Sequence, residues 1–237
     1  MKHWAHGDAP HGRPSLAEND AALLEQAYTE AIRLGFLGPR EQDRLWERHL
    51  NDALGLAIIR QPGPQERWAD LGSGAGLPGL PLAVAYRATS FTMIDAQRRR
   101  LDWIAATAAA LGLANVTVVH ARLEDYGQGP ARQSFDVATA RALGPLPVVA
   151  ELGLALLRTG GQLLVPRGRP EADELAQTAV ACEQLGGRLD DVIPNPSSPI
   201  DQVGFVVIMA KIAATSPRFP RRSGVPARTP LGQRRTS

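Results

Sequence analysis

Four glycines crowd one short stretch, at positions 72, 74, 76 and 79 of Trp68-Ala-Asp-Leu-Gly-Ser-Gly-Ala-Gly-Leu-Pro-Gly79, and they limit what this chain can fold into. Glycines at such spacing after an apolar run permit positive φ and let backbone amides approach a ligand. The pattern predicts a strand ending near Leu71, a glycine turn, and a helix opening near Pro78, a residue suited to the first helical position. A strand, loop and helix of this kind present the loop and helix start to a nucleotide-like cofactor.

Two ligand readings compete, beside a glycine-rich turn that holds nothing. Gly74 to Gly79 satisfies the G-x-G-x-x-G pattern of dinucleotide-binding folds, a weak signal alone. Asp70 extends the stretch to Asp-x-Gly-x-Gly-x-Gly, which resembles motif I of S-adenosylmethionine (SAM) dependent methyltransferases. A carboxylate balances the cationic end of SAM, whereas a loop holding a pyrophosphate gains nothing from one. Asp95 ends the next apolar run, 23 residues beyond Gly72, where a carboxylate accepts hydrogen bonds from ribose hydroxyls.

The pattern that follows alternates strand and helix, as a doubly wound, mostly parallel sheet requires. Strands are predicted near Ser90–Ile94, Asn115–His120, Phe135–Thr139 and Gln162–Val165, with helices over Arg98–Leu111 and Leu146–Leu157 and a turn at Arg158-Thr-Gly-Gly161. Arg188–Ile193 and Gly204–Ile212 read as a terminal hairpin, giving seven strands in a Rossmann-like SAM methyltransferase fold. Upstream, Asn19 or Asp20 is expected to cap a helix running to about Leu34, with Leu24, Ala27, Ala31 and Leu34 on its apolar side and Gly35 ending it; a second helix is expected from Arg40 to Ile59. The chain therefore divides into a flexible N-terminus (1–18), a helical region (19–61), a SAM-binding domain (62–212) and a basic tail (213–237).

Charge separates along this order. From Lys211 onward there are seven basic residues and no acidic one, leaving 19 basic against 24 acidic residues before it. Four prolines space the tail, which is expected to be extended and poorly ordered alone; Arg218, Arg221 and Arg222 suit a polyanion, and Phe219 suits stacking on a base. A solvated tail without a partner is the alternative. His3, His6 and His11 read as surface rather than a metal site, and the single cysteine, Cys182, as packing. No apolar run approaches membrane-spanning length and no signal peptide is evident, so a cytoplasmic protein is expected, with monomer as the default.

Taken together, the glycine loop with its Gly-Leu-Pro-Gly-Leu-Pro extension, the Arg48-His49 segment, Ala138-Thr-Ala-Arg-Ala142 and the tail's Pro217-Arg-Phe-Pro-Arg resemble the RsmG (GidB) family of 16S ribosomal RNA guanine-N7 methyltransferases, from about Gly38 to Leu231. The resemblance implies SAM as cofactor and the 530 loop of 16S rRNA, naked or in the small subunit, as substrate. It implies contact with the cofactor by Gly72 and Leu77, with Leu123 and Glu124 framing the adenine and Arg141 lining the pocket shared with substrate; these join Asp70, Gly74, Gly76 and Asp95, which the loop pattern and spacing give as cofactor contacts. Arg141 and Arg122 become the candidate catalytic residues; Arg48, His49, Arg218, Arg221 and Arg222 the candidate RNA contacts. The run His49-Leu-Asn-Asp-Ala53 lacks the hydroxyl that many relatives carry after the aspartate.

The chemistry fits that set. Guanine N7 carries a lone pair at neutral pH, so attack on a sulfonium methyl requires no general base and no metal. Two other classes stay open on sequence: methylation of a small molecule or protein, and a noncatalytic RNA-binding or NAD(P)-sensing module.

Overall fold

The computed structural model describes residues 14–198 and 203–233; His3, His6, His11, Arg234 and Arg235 lie outside them. Within the described residues one sheet of seven strands runs β3-β2-β1-β4-β5-β7-β6. The strands are β1 Arg67–Leu71, β2 Ser90–Asp95, β3 Val116–His120, β4 Phe135–Ala140, β5 Leu157–Arg167, β6 Gly187–Pro194 and β7 Phe205–Lys211. The first five are parallel. β7 runs antiparallel to both β5 and β6, as the hairpin predicted from sequence requires.

Short apolar strands bury both faces, and the pleat sorts their side chains. Trp68 of β1 packs into one core with Phe91, Met93 and helices α1 (Glu18–Arg33), α2 (Asn51–Ile59), α3 (Gly79–Ala85) and α4 (Arg98–Ala110). Its neighbours Ala69 and Leu71 face a second core with α6 (Leu146–Leu154) and α7 (Ala172–Gln184). Helices α1 and α2 thus share the sheet's own core rather than forming a separate one. Cys182 is fully buried there, and burial pushes its thiol up to about 12, consistent with packing.

The chain leaves β1 for β2 on one side and returns through β4 on the other, so the carboxyl ends of β1, β2 and β4 open the crevice where α/β sheets bind ligands. Asp70, Asp95 and Arg141 all lie at that edge.

Several elements depart from the sequence expectation. Helix α1 starts at Glu18 behind Ala17, with no side-chain cap, so neither Asn19 nor Asp20 caps it; Gly35 ends it as expected, at φ +76°. The helix expected over 40–59 is three pieces: a 3₁₀ stretch (Pro39–Arg44), a wide π turn (Leu45–Leu50) and α2. The wide turn, a form found often at functional sites, carries Arg48 and His49. The turn expected at 158–161 is instead the exposed start of β5, where the pairing register shifts opposite Phe135 and Val137. Gly161 is needed there, since a Cβ would come within 2.8 Å of the Asp136 carbonyl.

The tail differs most. Residues 213–233 lie against the body instead of extending from it: Thr215, Phe219 and Pro226 are buried. Arg132 donates to the carbonyls of Thr215, Ser216 and Phe219, and Gln128 to those of Pro217 and Pro220. Lys211 is also buried, its ammonium donating to the Leu185 carbonyl and Thr215 hydroxyl, and burial lowers its pKa to about 8.

Candidate active site

The glycine loop is built as its sequence demands. Gly72, Gly74 and Gly76 have φ of +64°, +56° and +69°. A Cβ on Gly72 would come within 2.6 Å of the Leu143 side chain, so that glycine is fixed by conformation and by packing. A Cβ on Gly74 would meet nothing closer than an ordinary contact at 3.7 Å, so conformation alone calls for glycine there. Leu77 is buried against the turn, and Pro78 precedes the first residue of α3 rather than occupying it.

Two carboxylates bracket the loop. Asp95 is 6% exposed; Gly74 N–H donates to its Oδ2 at 2.9 Å and Gln97 N–H to its Oδ1 at 2.8 Å. Each oxygen keeps a second lone pair for a ligand hydroxyl. Asp70 lies beneath, accepting from Gly79 N–H at 3.2 Å and the Thr139 hydroxyl at 3.3 Å. Burial lifts its carboxyl to about 7 against the pull of those two donors. An acidic site under a glycine turn suits a ligand carrying a sulfonium and an amino group, and the residues present fit SAM.

Leu123 and Glu124 open α5 (Leu123–Gln128). Leu123 is buried, while the Glu124 carboxylate accepts Gly224 N–H from the tail at 2.8 Å, which commits one oxygen elsewhere. Arg122 is exposed at the N-cap of α5 and does not line the cavity that Arg141 lines. The two candidate catalytic arginines are not brought together.

Arg141 leads out of β4 into Ala142, which holds a left-handed φ of +54°, a strained conformation for a residue with a Cβ. Its Nη2 donates to His49 Nδ1 at 2.5 Å, and His49 Nε2 donates to Glu41 at 2.9 Å. These partners fix the histidine tautomer. Burial and the Arg141 charge hold His49 at about 4, so the ring is neutral and accepts from the guanidinium. The Arg141 Nη1 is buried and has no hydrogen-bond partner among the described residues. Leaving a donor unpaired in a buried site costs about 1–3 kcal/mol, which a ligand acceptor would offset.

Arg141, Arg48, Asp52, Pro78 and Arg167 line one cavity of about 700 Å³. Sequence reasoning singled out neither Asp52 nor Arg167. It also missed Tyr28 of α1, fully buried, whose hydroxyl donates to the Gly76 carbonyl at 3.4 Å and fastens that helix to the loop.

The other candidate RNA contacts divide. Arg48 is exposed at the cavity, whereas His49 is 4% exposed and is an inner support. Arg218 is exposed with its guanidinium 4.8 Å from the Phe219 ring centre, and Arg222 is exposed. Arg221, expected among the RNA contacts, is paired with the buried Glu151. Phe219, itself buried, offers no stacking face of the kind expected.

A family model described as rRNA small subunit methyltransferase G matches residues 22–194. The chain belongs to the GidB family. Ribosomal RNA small subunit methyltransferase G of Chloroflexus aggregans is 38% identical over 221 residues, covering 91% of this chain and 92% of that one. The Deinococcus radiodurans protein of the same name is 35% identical, covering 94% and 87%. Among solved structures, a SAM-dependent O-methyltransferase from Thermotoga maritima shares the fold at TM-score 0.51 and 14% identity, over 70% of this chain and 66% of that one. The GidB chain is accordingly a methyltransferase, on a fold of the Rossmann-like class. Among the described residues, no helix is long and apolar enough to cross a membrane.

One pH effect follows directly from the Glu41–His49–Arg141 chain. Free histidine titrates near 6.5, so between about 6.5 and about 4 the unfolded chain takes up a proton that the folded one refuses. This contribution to stability is complete above that window and is lost as pH falls through it. In NMR, the His49 ring signals are expected to stay at neutral-imidazole positions down to about pH 5; a midpoint near 6.5 would refute the buried, Arg141-facing arrangement.

Proposed function

We propose that this protein transfers the SAM methyl directly to N7 of a guanine in the 530 loop of 16S rRNA, in the cytoplasm and as part of ribosome maturation. The observation that carries the reading is Arg141, which lines a cavity of about 700 Å³ beside Pro78 of the glycine loop and has a buried Nη1 without a hydrogen-bond partner among the described residues.

Bound SAM supplies an electrophilic methyl on a sulfonium. Asp95 receives the ribose hydroxyls, the loop at Gly72, Gly74 and Gly76 admits the cofactor's backbone-side contacts, and Asp70 balances its positive charge. Arg141 donates from Nη1 to guanine O6, which turns the neighbouring N7 toward the cofactor; donation to N7 itself would block attack. His49 and Glu41 hold that guanidinium at a fixed angle. N7 is nucleophilic without deprotonation, so none of these residues moves a proton in the transfer. Alignment alone is a sufficient source of rate, since well-oriented reactants reach effective molarities on the order of 10⁵–10⁸ M. The deep, narrow major groove of A-form RNA hides N7, so the acceptor base is splayed from a loop; exposed Arg48, Arg218 and Arg222 supply charge for its backbone.

The test is transfer of labelled methyl from SAM to 16S rRNA and small subunits from cells lacking N7-methylguanine in the 530 loop, with mapping of the product. Label on one loop guanine is expected. SAM binding with no label on any RNA form would sink the reading.

Two binding predictions arise from the carboxylates. Asp95→Asn is expected to weaken SAM roughly ten- to hundredfold by calorimetry, the size of a charged hydrogen bond; unchanged affinity would refute the ribose role. For Asp70, a cationic ligand favours the ionised form, so SAM affinity is expected to rise with pH up to and through about 7 and to release protons on binding. Calorimetry in two buffers of different ionisation enthalpy reads that release, and Asp70→Asn is expected to abolish it.

A further inference from the structure

The cavity holds a carboxylate that the methyl transfer does not use. Asp52 sits in the first turn of α2 and lines the cavity together with Arg141 and Arg48. The Ser198 hydroxyl donates to its Oδ1 at 2.7 Å, and the Asn195 amide donates to its backbone carbonyl at 3.0 Å. The loop after β6 therefore fixes Asp52 from outside. Gly55, one turn on, permits this docking: a Cβ there would come within 2.9 Å of Ser197. Oδ2 accepts no hydrogen bond among the described residues, and Oδ1 retains a second lone pair.

A half-buried carboxylate with one oxygen braced and the other free is a receptor for two adjacent N–H donors. Guanine presents such a pair, N1–H and the N2 amine, on the edge away from N7. Adenine offers an acceptor at N1 and no amine at C2, so it would leave the carboxylate unpaired and repelled.

The geometry points to Asp52 as the residue that selects guanine, its carboxylate accepting from N1–H and the N2 amine while Arg141 holds O6. This rests on the N7 reading above and names the part of the site that reads base identity. Arg141 and Asp52 then grip opposite sides of the base's polar edge; burial raises the Asp52 carboxyl and lowers the Arg141 guanidinium, and the charge of each partly opposes the shift of the other. Rejection by an unpaired buried polar group is far stronger than rejection by shape, so one carboxylate suffices for discrimination.

The experiment compares methyl transfer to 16S rRNA carrying guanosine or inosine at the mapped position, inosine lacking only the N2 amine. Wild-type protein is expected to prefer guanosine roughly ten- to hundredfold in kcat/KM. Asp52→Asn, which keeps the Ser198 contact, is expected to lower kcat/KM on guanosine and to bring the two substrates within about threefold, as expected once a charge-assisted bond is gone. SAM affinity near the wild-type value shows that the variant is folded. Equal wild-type rates on guanosine and inosine would overturn this inference alone, as would an unchanged preference in Asp52→Asn. Absence of transfer to the guanosine RNA by wild-type protein would overturn the N7 reading and this inference with it.

Discussion

Replacing Arg141 by lysine is expected to lower kcat/KM for RNA methylation by roughly 10² to 10³, the usual loss when one fixed donor is removed from a reacting centre. Lysine keeps the charge but not the planar fork. The guanidinium uses one nitrogen on His49 and leaves another unspent, and a single ammonium on a flexible stem cannot hold both directions. SAM binding separates this from collapse of the site: Kd is expected to rise no more than about tenfold, since the proposed ribose and charge contacts fall to Asp95 and Asp70. Turnover within threefold of wild type in single-turnover assays would remove Arg141 from the mechanism. Arg122→Ala provides the contrast, because that side chain is exposed at the head of α5 and away from the cavity, and a loss of comparable size there would show that the substrate, not the free protein, brings the two arginines together.

The part of this site that sequence reveals is local. A glycine loop declares its geometry because positive φ is a property of the residues themselves, and Asp95 is found by counting from it. The strands were legible for a similar reason, since short apolar runs between glycine and proline breaks leave few alternatives. Partnerships across the fold were not legible. His49 and Arg141 are 92 positions apart, and Asp52 and Ser198 are 146 apart. No spacing rule connects them, and only the sheet order brings α2, the end of β4 and the loop after β6 to one edge. The start of β5 misled because Arg158-Thr-Gly-Gly161 is polar and glycine-rich for a different cause: it overhangs the sheet and bulges against β4. The tail misled because proline and arginine content describes an isolated segment, while its order comes from groups elsewhere. A signal for that order was present. Glu151 interrupts the otherwise apolar run Leu146-Pro-Val-Val-Ala-Glu-Leu-Gly-Leu154, and a carboxylate in the middle of a buried helix requires a cation from outside it.

Arg221 is that cation, and removing it is expected to be the most destabilising single change in the tail. Glu151 is fully buried and accepts from the Arg221 backbone N–H at 2.7 Å, from Nε at 3.0 and 3.1 Å and from Nη2 at 2.6 Å. Arg221→Ala leaves the carboxylate buried without its charge partner, which costs about 3–5 kcal/mol. For a chain of this size that lowers the melting temperature by about 6–20 °C. The double variant Glu151→Leu with Arg221→Leu is expected to recover much of the loss, because an apolar pair incurs no such desolvation; a double variant as unstable as the single would show that packing, not charge, binds the tail. Exposed Arg218 and Arg222 behave oppositely. Their alanine variants are expected to melt within about 2 °C of wild type, as surface changes away from special features do, yet to reduce the salt dependence of RNA binding by about 0.7 in log–log slope for each phosphate no longer neutralised. The tail thereby separates into a side that holds the fold, through Arg221, Phe219 and Thr215, and a side left free to meet a polyanion. Arg221→Ala tested for salt slope, and Arg218→Ala tested for melting, decide whether those two roles fall on different arginines.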